Sequence, residues 1–155
     1  VTSIRPLTTD DVDACAALLA RLPQWFGIEA SNRAYLASLR KLPAFVACDD
    51  DDDGTVIGFV AVARHFPEAA EITVMGVEPS RHREGVGGLL VEAVETSCRD
   101  EGVEWLHVKT RGPSTYDDDY ERTRRFYRAM GFAPLYESMT EWGPENAALI
   151  LVKRV

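Results

Sequence analysis

The stretch VEPSRHREGVGGLLVEAVE, residues 77–95, sets three glycines, Gly85, Gly87 and Gly88, between a basic cluster and an apolar run with helical spacing. Glycine inside a helix costs roughly 1 kcal/mol relative to alanine, so helix propensity does not account for them. Upstream, AEITVMGVEP reads as a strand stopped by Pro79. Downstream, Val86, Leu89, Leu90, Ala93, Val94 and Cys98 mark one stripe of a helix that closes near Gly102. A strand, a tight turn and a helix N-terminus are the parts of a phosphate site. The first-turn N–H groups lack partners and carry partial positive charge, and glycine lets a phosphate approach them with no Cβ in the way. On this reading the glycines make room for a pyrophosphate, although a structural turn alone also explains a bare G-x-G. The stretch lacks the G-x-x-x-x-G-K-[ST] of a nucleotide-hydrolysing loop, and GVGG falls short of the dinucleotide G-x-G-x-x-G.

Working outward, SIRPLTTDDVDACAALLARL gives a short strand and a helix, capped at Thr8 or Thr9 and packed by Val12, Cys15, Ala16, Leu19 and Leu22. PQWFG interrupts, and a second helix runs from EASN to Pro43. AFVAC and TVIGFVAVARH then alternate as strands around the acidic turn Asp49 to Asp53, which is expected to be solvated rather than a metal site. VEWLHVKT is a further strand. DYERTRRFYRAMGF is a helix with Phe126, Ala129 and Met130 inward and Gly131 as its stop. APLYESMT and AALILVKR close the chain as strands. The order β-α-α-β-β-β-α-β-α-β-β has no repeat and no linker, which predicts one α/β domain over residues 1–155 with a mixed sheet.

The 155 residues are 46% hydrophobic and 27% charged, suited to one domain with its own core. No apolar run is long enough to span a bilayer and no leader pattern opens the chain, so a cytoplasmic protein with no membrane partner is expected. Cys15, Cys48 and Cys98 lie in apolar patterns and read as buried free thiols, not as a disulfide framework or zinc site. The net charge of −8 argues against nucleic acid and favours a cationic small molecule or basic peptide. Arg122, Arg124, Arg125 and Arg128 share their helix with Asp117 to Asp119 and Glu121, so a salt-bridged face is expected there. No metal is expected.

VEP, HREGVG at 82–87 and FYRAMGF at 126–132 together resemble the signature of the GNAT superfamily of acyl-CoA-dependent N-acyltransferases: a strand ending in V-x-P, then Q/R-x-x-G-x-G/A opening a helix, then F-Y-x-x-x-G-F. The order of elements is similar over nearly the whole chain. His82 stands where the family usually has Gln or Arg, with Arg81 and Arg83 as neighbours able to supply charge. The resemblance implies a GNAT fold with a mostly antiparallel mixed sheet flanked by helices. It also implies acetyl-CoA as co-substrate. Beside His82, the amides of Arg83, Glu84, Gly85, Val86, Gly87 and Gly88 would hold its pyrophosphate, and the strand edge at Met75, Gly76 and Val77 would pair with the pantetheine arm. A homodimer is the family's implied assembly.

Acyl transfer to an amine needs a neutral amine, a polarised thioester carbonyl and a proton for the departing thiolate. A backbone N–H near Val77 is the candidate oxyanion donor, and Gly76 fits a bulge or close backbone approach. Tyr127 matches the family's tyrosine and is the candidate acid, with a boundary aromatic as the alternative. Glu71 matches the glutamate of the histone-acetylating branch. As a partly buried carboxylate it is expected to have a raised pKa, with His65 or solvent as rival bases. Trp25 and Phe26 either fill a core gap or line the acceptor site. Tyr116, Asp117 to Asp119, Tyr120 and Trp142 offer a rim attractive to cations. The expected activity is transfer of an acetyl group to a primary amine of a small molecule. A protein or peptide acceptor and a non-catalytic coenzyme-A-binding sensor are the alternatives.

Overall fold

β-Strand alternation decides the centre of the fold. In the computed structural model, which describes residues 1–114 and 117–155, AAEITVMGV forms a strand whose even-numbered residues are buried and whose odd-numbered residues are half-buried. The elements run β1 (Thr2–Pro6), α1 (Val12–Ala20), α2 (Glu29–Leu39), β2 (Ala44–Asp49), β3 (Thr55–Phe66), β4 (Ala69–Val77), α3 (Val86–Asp100), β5 (Trp105–Arg111), α4 (Asp118–Ala129), β6 (Ala133–Ser138) and β7 (Ala148–Arg154). The strands form a seven-stranded mixed sheet in the order β1-β2-β3-β4-β5-β7-β6. The β1–β2, β2–β3, β5–β7 and β6–β7 pairs are antiparallel, and β4–β5 is parallel. This is the expected α/β class and element order.

The chain packs as two compact units, Val1–Ala63 with Thr73–Ser97, and Arg64–Ile72 with Cys98–Val155. In the first, Cys15, Leu18, Leu19 and Leu22 of α1 and its following turn cluster with Val46 and Phe59. The approach is close at Gly76. A Cβ built there would lie 3.2 Å from Leu18 Cδ2 and from Phe59 Cε1, so a larger residue would have to push these core side chains aside by a few tenths of an ångström. In the second, Leu106 and Val108 of β5 are buried, as are Leu149 to Leu151 of β7, Tyr127 and Phe132. The three thiols are free and buried as expected, and burial pushes Cys15 up to about 12, which keeps it an inert thiol.

Three packing expectations need correction. On α3, Leu89 is 38% exposed and Val91 is buried instead. On α4, Arg124 and Tyr127 are the buried residues, Phe126 and Met130 are half-buried and Ala129 is exposed. A buried arginine is tolerated there because its guanidinium donates to the Arg111 carbonyl at 2.7 Å and to Glu121 Oε2 at 2.8 Å. In the acidic turn, Asp50 to Asp53 are exposed as expected, but Asp49 is buried. Two further arginines of α4 are paired: Arg122 lies 3.6 Å from Asp119 and Arg125 3.3 Å from Glu121.

A partly buried ion pair fixes the start of α1. Arg5 donates to both oxygens of Asp11, at 2.8 and 2.9 Å, and the Thr8 amide donates to the same carboxylate at 2.8 Å. The Arg5 hydrogen bonds, against the opposing effect of burial, hold the Asp11 carboxyl down to about 2 from 3.8. A depressed carboxyl stabilises the fold above its unfolded pKa, and the contribution is lost as pH falls through the folded value. Asp11→Asn is therefore expected to cost about 2 kcal/mol at neutral pH. The deficit should vanish between about pH 4 and pH 2, as read by urea melts of both proteins across that range.

Candidate active site

The first unit builds the turn after β4. Pro79–Arg81 makes one 3-10 turn, and Arg83 (φ 69°) and Gly85 (φ 84°) are both left-handed. Alternation of this kind turns successive amides toward one side, the geometry of a backbone anion nest. A Cβ at Gly85 would meet nothing within 4 Å, so the glycine is there for its backbone conformation and not for want of space. α3 begins at Val86, with the Leu89 amide bonding to the Gly85 carbonyl at 3.1 Å. The amides from Val86 to Gly88 are thus those of a helix's first turn.

Two of the basic residues beside this turn make contacts within the fold. Arg81 is spent on the fold: it pairs with Asp49 and, at 3.1 Å, with Glu84. His82 donates its Nε2 proton to the Val77 carbonyl at 2.9 Å, which ties the end of β4 to the turn. Its ring meets the edge of Trp25 at 5.8 Å between centroids. Trp25 and Phe26 are both partly buried against the apolar core of this unit, and Phe26 sits edge-on to Tyr35 at 5.9 Å. Phe26 therefore fills a core position, whereas Trp25 reaches the glycine turn. Met75 and Val77 are half-buried on the face of β4 opposite Gly76.

The second unit surrounds Glu71 with two imidazoles and an ammonium group. The parallel ladder pairs Ala69–Ile72 with Trp105–Val108 and sets Glu71 directly opposite His107. His65 Nε2 lies 2.7 Å from Glu71 Oε1, and His107 Nε2 lies 3.5 Å from the same oxygen. Lys109 Nζ is 3.6 Å from Oε2 and 2.6 Å from Glu141. Burial pushes the Glu71 carboxyl up, as expected of it, but the hydrogen bonds of His107 and His65 and the charge of Lys109 outweigh burial and hold it down to about 2. The expected raised pKa is thus reversed. Glu71 is an anion at every physiological pH, a strong hydrogen-bond acceptor and a weak base. His107, Lys109 and Glu141 escaped the sequence reading. The polar alternation of His107 and Lys109 within an otherwise apolar strand was the available signal.

Tyr127 is 5% exposed and stands edge-on between Phe126 and Phe132, with centroids at 5.2 and 5.6 Å. Burial raises its phenol well above the ordinary value, so the hydroxyl stays protonated and can only donate its proton or accept a hydrogen bond. Of the proposed cation-attracting rim, Asp117 caps α4, accepting from the Asp119 and Tyr120 amides, and the Arg111 guanidinium already lies 5.9 Å from the Tyr120 ring centre. Trp142 is 45% exposed, and Tyr116 lies outside the described residues. No helix among the described residues is long and apolar enough to cross a membrane.

Comparison with known proteins supplies the family. No curated protein matches the sequence significantly. Among solved structures, a protein assigned to the GNAT family from Desulfovibrio desulfuricans superposes with a TM-score of 0.85 at 16% identity, covering 99% of both chains. The ribosomal-protein-S18-alanine N-acetyltransferase from Escherichia coli superposes with a TM-score of 0.79 at 18% identity, covering 100% of this chain and 94% of its own. An aminoglycoside 6'-N-acetyltransferase complexed with coenzyme A gives 0.77 at 17% identity, covering 98% and 96%. These likenesses establish the fold. The acetyltransferase (GNAT) domain model matches residues 41–134, a stretch that begins ahead of β2 and includes the glycine turn, Glu71 and Tyr127. The chain belongs to the GNAT acetyltransferase family.

Proposed function

We propose that the protein is an acetyl-CoA-dependent N-acetyltransferase acting on a primary amine of a small molecule. The observation that carries the proposal is the turn with left-handed Arg83 and Gly85 opening α3 in a GNAT-family chain. Its first-turn amides suit a pyrophosphate, and a structural neighbour is complexed with coenzyme A. Acetyl-CoA would supply the acyl group as a thioester. His82, by holding the Val77 carbonyl, would fix the strand end at Met75 to Val77 for the pantetheine arm and aim a backbone N–H near Val77 at the carbonyl oxygen.

Two proton transfers remain for side chains. Glu71, kept anionic, orients His65 with its proton on Nε2 and leaves Nδ1 with a lone pair to take the amine's proton. Tyr127, kept protonated by burial, would give its proton to the departing thiolate and recover one from solvent. We take the whole chain as one catalytic domain working in the cytoplasm, and a homodimer as its assembly.

The net charge of −8 and the aromatic Trp25 beside the turn favour a cationic small-molecule acceptor. A protein or peptide amine is the second reading, because the Escherichia coli neighbour is named for an alanine of a ribosomal protein. A panel of polyamines, aminoglycosides and basic peptides with acetyl-CoA, followed by free-thiol release, separates them. Acetyl-CoA itself is expected to stabilise the fold by about 2.7 kcal/mol at 100 times its dissociation constant. A flat melting temperature across millimolar acetyl-CoA would remove the proposal. Stabilisation without transfer to any amine would leave the coenzyme-binding sensor.

A further inference from the structure

We propose that His65, Glu71 and His107 form a binding site for a divalent zinc ion. Two imidazoles and a carboxylate are borderline ligands of the kind zinc prefers, and three protein ligands leave its fourth position for water. Their ligand atoms all lie within 4.8 Å of one another. Both Nε2 atoms approach the same carboxylate oxygen, and the two rings stack at 5.7 Å with 26° between their planes. The ligands therefore converge and do not merely share a surface.

Both spacings to the carboxylate oxygen lie near what the ion needs. Tetrahedral zinc with bonds of about 2.0–2.2 Å wants neighbouring ligand atoms about 3.3 Å apart. His107 Nε2 already stands 3.5 Å from Glu71 Oε1. His65 at 2.7 Å is at hydrogen-bond spacing and must open by roughly half an ångström to reach the zinc spacing. Its side chain is 46% exposed near the end of β3, so it has room to do so, and its exposure is also the way in for the ion. Glu71 (12%) and His107 (25%) are the sheltered pair, held in register by the β4–β5 ladder.

One neighbouring charge opposes the ion. Lys109 Nζ, 3.6 Å from Oε2, opposes it, but its charge is shared with Glu141 at 2.6 Å. Zinc on His65 would replace the Nε2 proton and the hydrogen bond to Glu71. Bound zinc is therefore expected to suppress the acetyl transfer proposed above, although binding itself does not depend on that reading.

The test is titration of chelator-treated protein with zinc by calorimetry, and with cobalt by its visible bands. One ion per chain is expected, with a cobalt spectrum free of thiolate charge transfer. His65→Ala and His107→Ala should each weaken zinc binding by at least about 100-fold, beyond the ~10- to 100-fold typical of losing an outer-shell partner. His65→Ala, at an exposed position, secures the test if His107→Ala fails to fold. Lys109→Met should act in the opposite direction, tightening binding at least about fivefold. No saturable binding at millimolar zinc, or unchanged affinity in His65→Ala, would overturn the site. Calorimetry reads all of this without substrate, so failure of the zinc site and failure of the acetyltransferase reading are separate results.

Discussion

Tyr127→Phe is expected to lower turnover about 10²- to 10⁴-fold, the range for a positioned proton donor, while coenzyme affinity and melting temperature stay nearly constant. The substitution keeps the ring that packs edge-on to Phe126 and Phe132 and removes only the hydroxyl. Tyr127→Ala removes the ring as well, and at 5% exposure it should cost about 3–5 kcal/mol of stability. The pair of variants separates the two roles this residue can have. Because burial keeps the phenol protonated throughout the assay range, Tyr127→Phe should scale the pH–rate profile down without moving its limbs. Wild-type turnover in Tyr127→Phe, with a confirmed acceptor amine, would make the residue a packing aromatic alone.

Tyr127 also shows where sequence patterning stops. The motif FYRAMGF placed it on a helix before Gly131, but the periodicity favoured Phe126, Ala129 and Met130 as the inward face. The structure rotates that face toward Arg124 and Tyr127. Apolar spacing could not foresee this, because Arg124 is buried through its bond to the Arg111 carbonyl, a partner 13 residues away. Strands were more legible: β4 alternates residue by residue, and the change of period after Pro43 marked where α1 and α2 give way to β2 and β3.

The candidate site was legible wherever a motif is local. The glycine turn, its left-handed Gly85 and the start of α3 lie within one continuous stretch. The Glu71 cluster was not, since its members come from three strands and His107 meets Glu71 only through the β4–β5 register. Burial of Glu71 was anticipated, yet the sign of its shift depended on His65, His107 and Lys109, which sequence spacing cannot assemble. The ion pair of Arg81 with Asp49 was hidden for the same reason, since the two are 32 residues apart.

Gly87→Glu puts the phosphate proposal to its hardest test, because the fold should not suffer. Gly87 is the second residue of α3. Glutamate is a better helix former than glycine by roughly 0.5–1 kcal/mol, and a carboxylate is favoured near a helix N-terminus. Thermal stability without ligand is therefore expected to hold or rise. A bound pyrophosphate would meet the new carboxylate at the amides that hold it, losing both space and favourable potential. Like charges about 4 Å apart cost on the order of 1–4 kcal/mol between bulk water and a protein surface, so coenzyme A affinity should fall on the order of 10²-fold or more. Calorimetry with coenzyme A reads the affinity, and a melt of the free protein reads the fold. Equal affinity in the variant would move the pyrophosphate away from α3, whereas weakened binding with a lowered melting temperature would return the glycine to a structural role. Only lost affinity in an intact fold answers why Gly87 stands in the first turn of a helix.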